Sequence, residues 1–375
     1  MTERGLYVHV PFCDHICYYC DFNKVLATRQ PVDDYLEAVG KELMLYAEQG
    51  AVHTIYIGGG TPTALSQKQL IRLLREIRTA FPQTVTEFTV EANPENVSDD
   101  KLSAMRAAGV DRLSLGVQTF NDRLLRQIGR LHTGEIAEQA VRRARAHGLT
   151  NISIDLMFAL PGQTEADLHE SLERAFALEV PHISVYALQV EPKTVYYNQL
   201  RRGDLLLPGE DIEADMYGQI MLAAERHGLS QYEISNFARP GSEGVHNSFY
   251  WRNGEYYGVG AGAHGYVDGV RYANAGPVKQ YMAAVNAHGC ARTSTHAVSV
   301  NEQIEEELFL GLRLRKGVSR TVFAGKFGCT LESIYGVQIS ALKKKGLLEE
   351  EGDHIRLTRR GLFFGNDVFS AFLLS

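Results

Sequence analysis

The chain has 375 residues, is 45% hydrophobic and carries a formal net charge of −7, which describes a soluble globular protein with room for one large domain plus appendages or two ordinary ones. No run of ~18 apolar residues offers a membrane span. The start, MTERGLYVHV, has charges but no long apolar stretch and no small-residue cleavage site, so no signal peptide is expected.

In chain order the strand-like runs are GLYVHV (5–10), HTIYIGG (53–59), VTEFTVEA (85–92), RLSLGVQ (112–118), NISIDLMFAL (151–160), HISVYAL (182–188) and QYEISNF (231–237). Helix-period stretches separate them. Val32, Leu36, Val39, Leu43 and Tyr46 mark one, Leu70, Leu73, Leu74 and Ile77 another, and Leu168, Leu172 and Phe176 a third. Apolar strands alternating with helices imply parallel βαβ units, and about six units predict an α/β fold, a partial (β/α) TIM-like barrel over residues 1–240. Residues 241–300, rich in glycine and tyrosine, read as a connecting segment that holds HNSFYW (246–251). Residues 301–375 read as a small winged-helix-like module of three helices and a hairpin. That module holds 11 Lys/Arg against 10 Asp/Glu, without the basic face that duplex binding needs, so no nucleic-acid partner is expected.

Five cysteines make a poor disulfide framework, but Cys13, Cys17 and Cys20 cluster in PFCDHICYYCDF. The clustering reads as metal or redox chemistry in a reducing compartment, and hence a cytoplasmic location. Thiolates suit zinc or iron–sulfur centres. Zinc with His15 or a distant group as fourth ligand is one reading. A closed iron–sulfur centre would need Cys290 or Cys329 to fold back. Downstream, YIGGGTPT (56–63) follows the second strand, and its three glycines let backbone N–H groups approach a small polar ligand.

A CxxxCxxC after strand one and a GGGTP after strand two, in a parallel α/β frame, resemble the radical S-adenosylmethionine (SAM) superfamily. The resemblance implies a 4Fe–4S cluster on Cys13, Cys17 and Cys20, with its fourth iron left for the amino and carboxylate groups of SAM, which the superfamily splits reductively. Further motifs (LYVHVPFCDHICYYCDF, IYIGGGTPT, EANPE, RLSLGVQTF, IGRLHT and IDLMFALPGQT) are similar to the oxygen-independent coproporphyrinogen III oxidase group. By that resemblance Tyr7 and Tyr19 lie near the SAM adenine, and Gly59, Gly60 and Thr61 hold the methionyl end. Glu91, Gln118 and Asp155 take the ribose hydroxyls and amino group, and Arg130 pairs with the carboxylate. These types fit, because carboxylates accept from hydroxyl and ammonium donors and Arg forks onto a carboxylate.

Two departures separate the chain from the decarboxylating oxidases. Asp21 and Phe22 stand where those enzymes carry a fourth cysteine, and Tyr7 lies too near the start for their N-terminal extension. Both match the shorter HemW-type heme chaperones, which the resemblance makes the expected function, with coproporphyrinogen III dehydrogenation in porphyrin biosynthesis as the alternative. HNSFYW fits that subgroup's HNxxYW motif, which implies heme contact through His246, Asn247, Tyr250 and Trp251. Imidazole is a good axial ligand and the aromatics can stack on the macrocycle. His264 in GAGAHGY is the competing ligand, whereas His9 and His15, beside the cluster, read as structural or as supports behind its ligands. The implied partners are heme-accepting proteins, with transient membrane association and a choice of monomer or heme-dependent dimer left open.

Overall fold

The structure, a computed structural model, describes residues 3–374. Six of the expected runs form β1 (Arg4–Val10), β2 (Thr54–Gly59), β3 (Glu87–Ala92), β4 (Arg112–Gln118), β5 (Asn151–Phe158) and β6 (His182–Ala187). Each pairs in parallel with the next. The crossover helices α1 (Val32–Ala47), α2 (Gln67–Ala80), α3 (Asp99–Ala107), α4 (Gly134–Ala146) and α5 (Glu165–Ala177) cover the outer face. Their starts are chemically marked. Ser66 with Gln69 and Thr164 with Asp167 form reciprocal caps that satisfy N–H groups left free in the first turn of α2 and α5. The expected stripe Leu70, Leu73, Leu74 and Ile77 is buried.

The seventh run does not continue the parallel series. It breaks into β7 (Ser230–Gln231) and β8 (Asn236–Ala238), which are antiparallel to each other, and β8 is antiparallel to β6. The cause is local. Glu233 Oε1 accepts from the Ser235 N–H at 2.8 Å and from Asn236 Nδ2 at 2.5 Å, which competes with an extended ladder.

Residues 241–300 belong to the sheet rather than linking two parts. After α6 (Val245–Trp251) come β9 (Glu255–Val259), β10 (His264–Val267), β11 (Val270–Asn274) and β12 (Arg292–Ala297). β9 lies parallel to β1, and the others extend the edge antiparallel. The described sheet thus has twelve strands in the order β12-β11-β10-β9-β1-β2-β3-β4-β5-β6-β8-β7. Glycine hides β9 in the sequence yet is needed there, since a Cβ on Gly258 would lie 1.8 Å from the His264 carbonyl oxygen.

The C-terminal residues form α7 (Val300–Gly311), α8 (Arg320–Phe327) and α9 (Leu331–Lys344) with three short antiparallel strands, β13 (Val318–Ser319), β14 (Leu348–Glu351) and β15 (His354–Leu357). This is the expected winged-helix arrangement. No helix among the described residues is long and apolar enough to cross a membrane.

Alternation along the strands sorts the side chains. Ile55, Ile57, Phe88, Val90, Leu113, Leu115, Ile152, Ile154, Ile183 and Val185 pack in the main hydrophobic core. The opposite face carries Tyr7, Tyr56, Thr89, Ser114, Ser153 and Ser184, small or polar groups that leave the barrel interior hollow.

One buried carboxylate ties α1 to the 255–288 region. Glu42, fully buried, accepts from the Gly260 N–H at 2.9 Å, Asn274 Nδ2 at 2.9 Å and the Tyr281 hydroxyl at 2.7 Å. Glu42→Ala strands three buried donors and is expected to cost about 2–5 kcal/mol, read by denaturant unfolding; a loss within error of zero would contradict this role.

Candidate functional site

The carboxyl ends of β1 to β6 surround a cavity of about 390 Å³. Cys13, Cys17 and Cys20 all line it, together with Tyr19, Gly59, Gly60, Thr61, Glu91, Gln118, Arg130 and Asp155. The expected cluster and SAM residues therefore converge, with one exception. Tyr7 points to a second, inner cavity, where its ring lies 6.2 Å from that of Tyr56 and its hydroxyl bonds His9 Nδ1 at 2.9 Å.

The cysteine segment is held by backbone. Phe12–Cys13 pairs with Val25–Leu26, and the Gly60 and Thr61 N–H groups donate to the Val10 and Phe12 carbonyls, each at 2.8 Å. This revises the reason for the glycine run. A Cβ on Gly60 would meet the Pro11 and Phe12 backbone at 2.8–2.9 Å, one on Gly58 the Glu91 carboxylate at 2.8 Å, and one on Gly59 the His9 ring at 2.6 Å. Gly59 also has φ +110°. Its N–H donates to Glu91 Oε2 at 3.1 Å. The glycines admit protein groups, and the N–H groups of residues 59–61 are all spent within the protein.

Two donors reach the sulfurs. The Thr61 hydroxyl lies 3.5 Å from Cys13 Sγ and Arg130 Nη1 3.6 Å from Cys17 Sγ. Burial pushes the Cys13 thiol up to about 11 and Thr61 pulls against that. Arg130 also bonds Asn93 Oδ1 at 2.8 Å and the Gly116 carbonyl, while its buried Nε has no partner.

Glu91 and Asp155 are partly accessible and border the cavity. Glu91 accepts from the Tyr56 hydroxyl at 2.7 Å. Asp155 accepts from Ser114 at 3.0 Å and from Ser153 at 3.4 Å. Burial pushes the Glu91 carboxyl up to about 7, the Tyr56 hydroxyl draws it down, and the Asp155 charge adds to the rise. Asp155 is raised as well, again first by burial. Gln118 is aimed inward by backbone strain, with φ +66° where β4 bulges against β5.

The three thiols line one wall without closing on a point. Among the described residues no group of three or more His, Cys, Asp or Glu stands close enough to hold a single metal ion. A cubane cluster is gripped from outside by thiolates that stand apart, so the wall suits it. The thiol-directed donors suit its negative charge. Glu91, Asp155 and the Arg130 side chain, all bordering the cavity, suit a ligand that carries hydroxyl, ammonium and carboxylate groups.

The HNxxYW helix lies at the other end of the barrel. Glu87, at the start of β3, accepts from the N–H groups of Val245 at 2.8 Å and His246 at 3.1 Å and so caps α6. Asn247 borders both cavities, and Tyr250 and Trp251 border the inner one. His246 is 1% exposed; Nδ1 bonds the Thr54 hydroxyl at 2.8 Å and Nε2 the Tyr250 hydroxyl at 2.7 Å. Its ring stacks on Tyr56 at 5.1 Å, and burial lowers its pKa to about 3. The expected axial ligand thus presents no free nitrogen in this arrangement, whereas His264 is exposed. His9 is structural as expected, bonded to Tyr7 and to the Asn23 carbonyl at 2.7 Å. His15 lines the cavity wall.

Residues 7–175 match the Radical SAM superfamily and residues 298–364 the HemN C-terminal domain. The chain is 49% identical to the heme chaperone HemW of Bacillus subtilis, over 99% of both chains. It belongs to the HemW heme chaperone family. The Lactococcus lactis relative of the same name is 47% identical over 99% of this chain and 97% of its own. Among solved structures, coproporphyrinogen III oxidase (HemN) of Escherichia coli, described as a radical SAM enzyme, superposes with a TM-score of 0.86 at 26% identity, covering 99% of this chain and 90% of that one. The partial barrel and the C-terminal domain are therefore those of this fold, and the 4Fe–4S cluster and SAM are its cofactors.

Sequence reading had missed several lining groups: Tyr56, Arg112, Ser114, Ser184 and Tyr186. Tyr56, Ser114, Ser184 and Tyr186 were legible as inward positions, two residues apart on strands whose other face is apolar.

The raised Glu91 pKa has a direct consequence. A folded-state value above the unfolded one means that the native state binds the extra proton between about pH 4.5 and 7, so ligand-free protein loses stability as pH rises through that window. Glu91→Gln is expected to flatten that slope in urea unfolding across pH 5–8; an unchanged slope would contradict it.

Proposed function

We propose that the chain is a heme chaperone: it holds a 4Fe–4S cluster on Cys13, Cys17 and Cys20, binds SAM at the barrel mouth, takes up heme and passes it to acceptor proteins. The observation that carries this reading is full-length identity of 47–49% to proteins named heme chaperone HemW, joined to a cavity in which every expected cluster residue converges. A reducing compartment, the cytoplasm, suits five free thiols.

Within this reading Cys13, Cys17 and Cys20 would hold the cluster through three thiolates, which would leave a place for SAM. Arg130, on the cavity wall, orients a carboxylate. Glu91 and Asp155 accept from hydroxyl or ammonium groups, and Tyr19 walls the cavity. The cluster, when bound, supplies the electron for SAM chemistry. Heme contacts involve Asn247, Tyr250 and Trp251, which border the cavities, and His264, exposed but outside the lining of both cavities, is the competing axial ligand. His246 then acts as a brace that fixes α6 through Thr54 and Tyr250.

The second reading, coproporphyrinogen III dehydrogenation, is favoured by the likeness to HemN and disfavoured by Asp21 and Phe22 in place of a fourth cysteine. Anaerobic incubation of reconstituted protein with coproporphyrinogen III, SAM and reductant is expected to release no carbon dioxide, and its release would favour the enzyme.

Heme titration separates the two histidines. His264→Ala is expected to weaken and shift the Soret band, while His246→Ala lowers the melting temperature and leaves the band in place. Loss of the band only in His246→Ala would instead mean that Thr54 and Tyr250 release the ring to iron.

A further inference from the structure

Two polar residues of EANPE and IGRLHT stand just behind the cofactor cavity without bordering it. Glu95 lies two residues after Asn93, on the helical turn Pro94–Asn96 that follows β3, and His132 lies two residues after Arg130. The pair repeats, one step deeper, what Arg130 does at the wall. Arg130 reaches Asn93 Oδ1 at 2.8 Å and the Gly116 carbonyl. His132, its side chain fully buried, sets Nδ1 3.2 Å from Glu95 Oε2 and Nε2 3.1 Å from the Val117 carbonyl. Segment 130–132 is thus fastened at both ends to the same two pieces of chain. One is the turn after β3; the other is the end of β4, where the bulge aims Gln118.

The contact between His132 and Glu95 is an oblique ion pair, and neither facing atom has a hydrogen-bond partner elsewhere. A carbonyl only accepts, so His132 Nε2 carries a hydrogen. On a neutral ring Nδ1 would then turn a lone pair toward a carboxylate oxygen, which is repulsive, so a proton stays between the two groups. Burial would push the Glu95 carboxyl up, but His132 and the Arg130 charge hold it below the ordinary value, which puts that proton on the ring. A buried imidazolium is tolerated only against a fixed carboxylate, so the ring has one place to sit. We propose that Glu95 and His132 are positioning residues for the cofactors: their ion pair holds segment 130–132 against the end of β4 and so fixes where the Arg130 guanidinium stands between the Cys17 sulfur and the SAM carboxylate. Its SAM arm rests on the reading that Arg130 serves that carboxylate. Its cluster arm does not, since Arg130 Nη1 lies 3.6 Å from Cys17 Sγ.

Glu95→Ala, Glu95→Gln and His132→Phe test it. Glu95→Ala leaves a neutral ring in place of the ion pair, so the summed charge is unchanged and only the hold is lost. Glu95→Gln has the same summed charge, but its amide N–H can donate to the bare Nδ1 and restore the hold. In cluster-free Glu95→Ala, amides of residues 130–132 are expected to exchange with deuterium about tenfold faster. After reconstitution the cluster's reduction potential should move negative, because a cationic donor no longer stays at the Cys17 sulfur, and SAM binding by equilibrium dialysis without reductant should weaken about tenfold. Glu95→Gln should return all three toward wild type. Wild-type exchange and potential in Glu95→Ala overturn the proposal, as does a Glu95→Gln protein as impaired as Glu95→Ala. Glu95, partly exposed, carries the test if His132→Phe does not fold. A wild-type cluster that ignores SAM counts against the SAM reading alone, because exchange and potential are read without SAM.

Discussion

Carboxylates held inside a protein without a cation beside them are costly, because burial disfavours the charged form and only hydrogen bonds offset it. Glu91 is in that position at the carboxyl end of the barrel, supported by Tyr56, while Asp155 beside it has the Arg112 charge as well as Ser114 and Ser153. A parallel sheet covered by helices would ordinarily be apolar on both faces. Here many inward positions are hydroxyls, tyrosines and carboxylates, whereas the apolar positions of the same strands pack in the main core on the outer face. The hollow interior is what such a sequence builds when the missing counter-charges belong to a ligand.

The thiol wall depends on the same economy of space. Three consecutive glycines bring the Cys13 segment, His9 and Glu91 against the end of β2, so the cluster wall and the carboxylate wall meet across one short loop. Thr61 then contacts a sulfur, and Arg130 spans from Cys17 to Asn93. A cofactor that touches both iron and carboxylate finds its two sets of partners already placed. At the opposite end α6 caps the interior through Glu87, and Asn247 reaches the cavity floor. The HNxxYW motif therefore touches the outer cavity through Asn247.

Much of this was legible in the sequence, for physical reasons. Period-2 runs located β1 to β6, period-3.6 stripes located the helices, and the cysteine spacing located the wall, because each pattern is written in neighbouring residues. What was not legible depends on distant partners. β9 joins β1 across some 250 residues through glycines that carry no apolar signal. QYEISNF alternates like a strand, yet Glu233 bonds its own neighbours and bends the chain. His246 looks like a ligand in a motif, but Thr54 and Tyr250 take both its nitrogens. Gln118 reaches the cavity by a positive φ that no residue type there advertises.

The central claim is an iron site that three thiolates leave incomplete and that SAM completes through its methionyl end. Electron–nuclear double resonance on the anaerobically reconstituted, reduced protein, with SAM labelled by 15N and 17O in its amino and carboxylate groups, examines that directly. Hyperfine coupling of both labels to the cluster is the expected result, and it should vanish in Cys17→Ala. A cluster whose spectrum ignores the labelled SAM, or a reconstituted protein that holds zinc in place of iron, would contradict the claim.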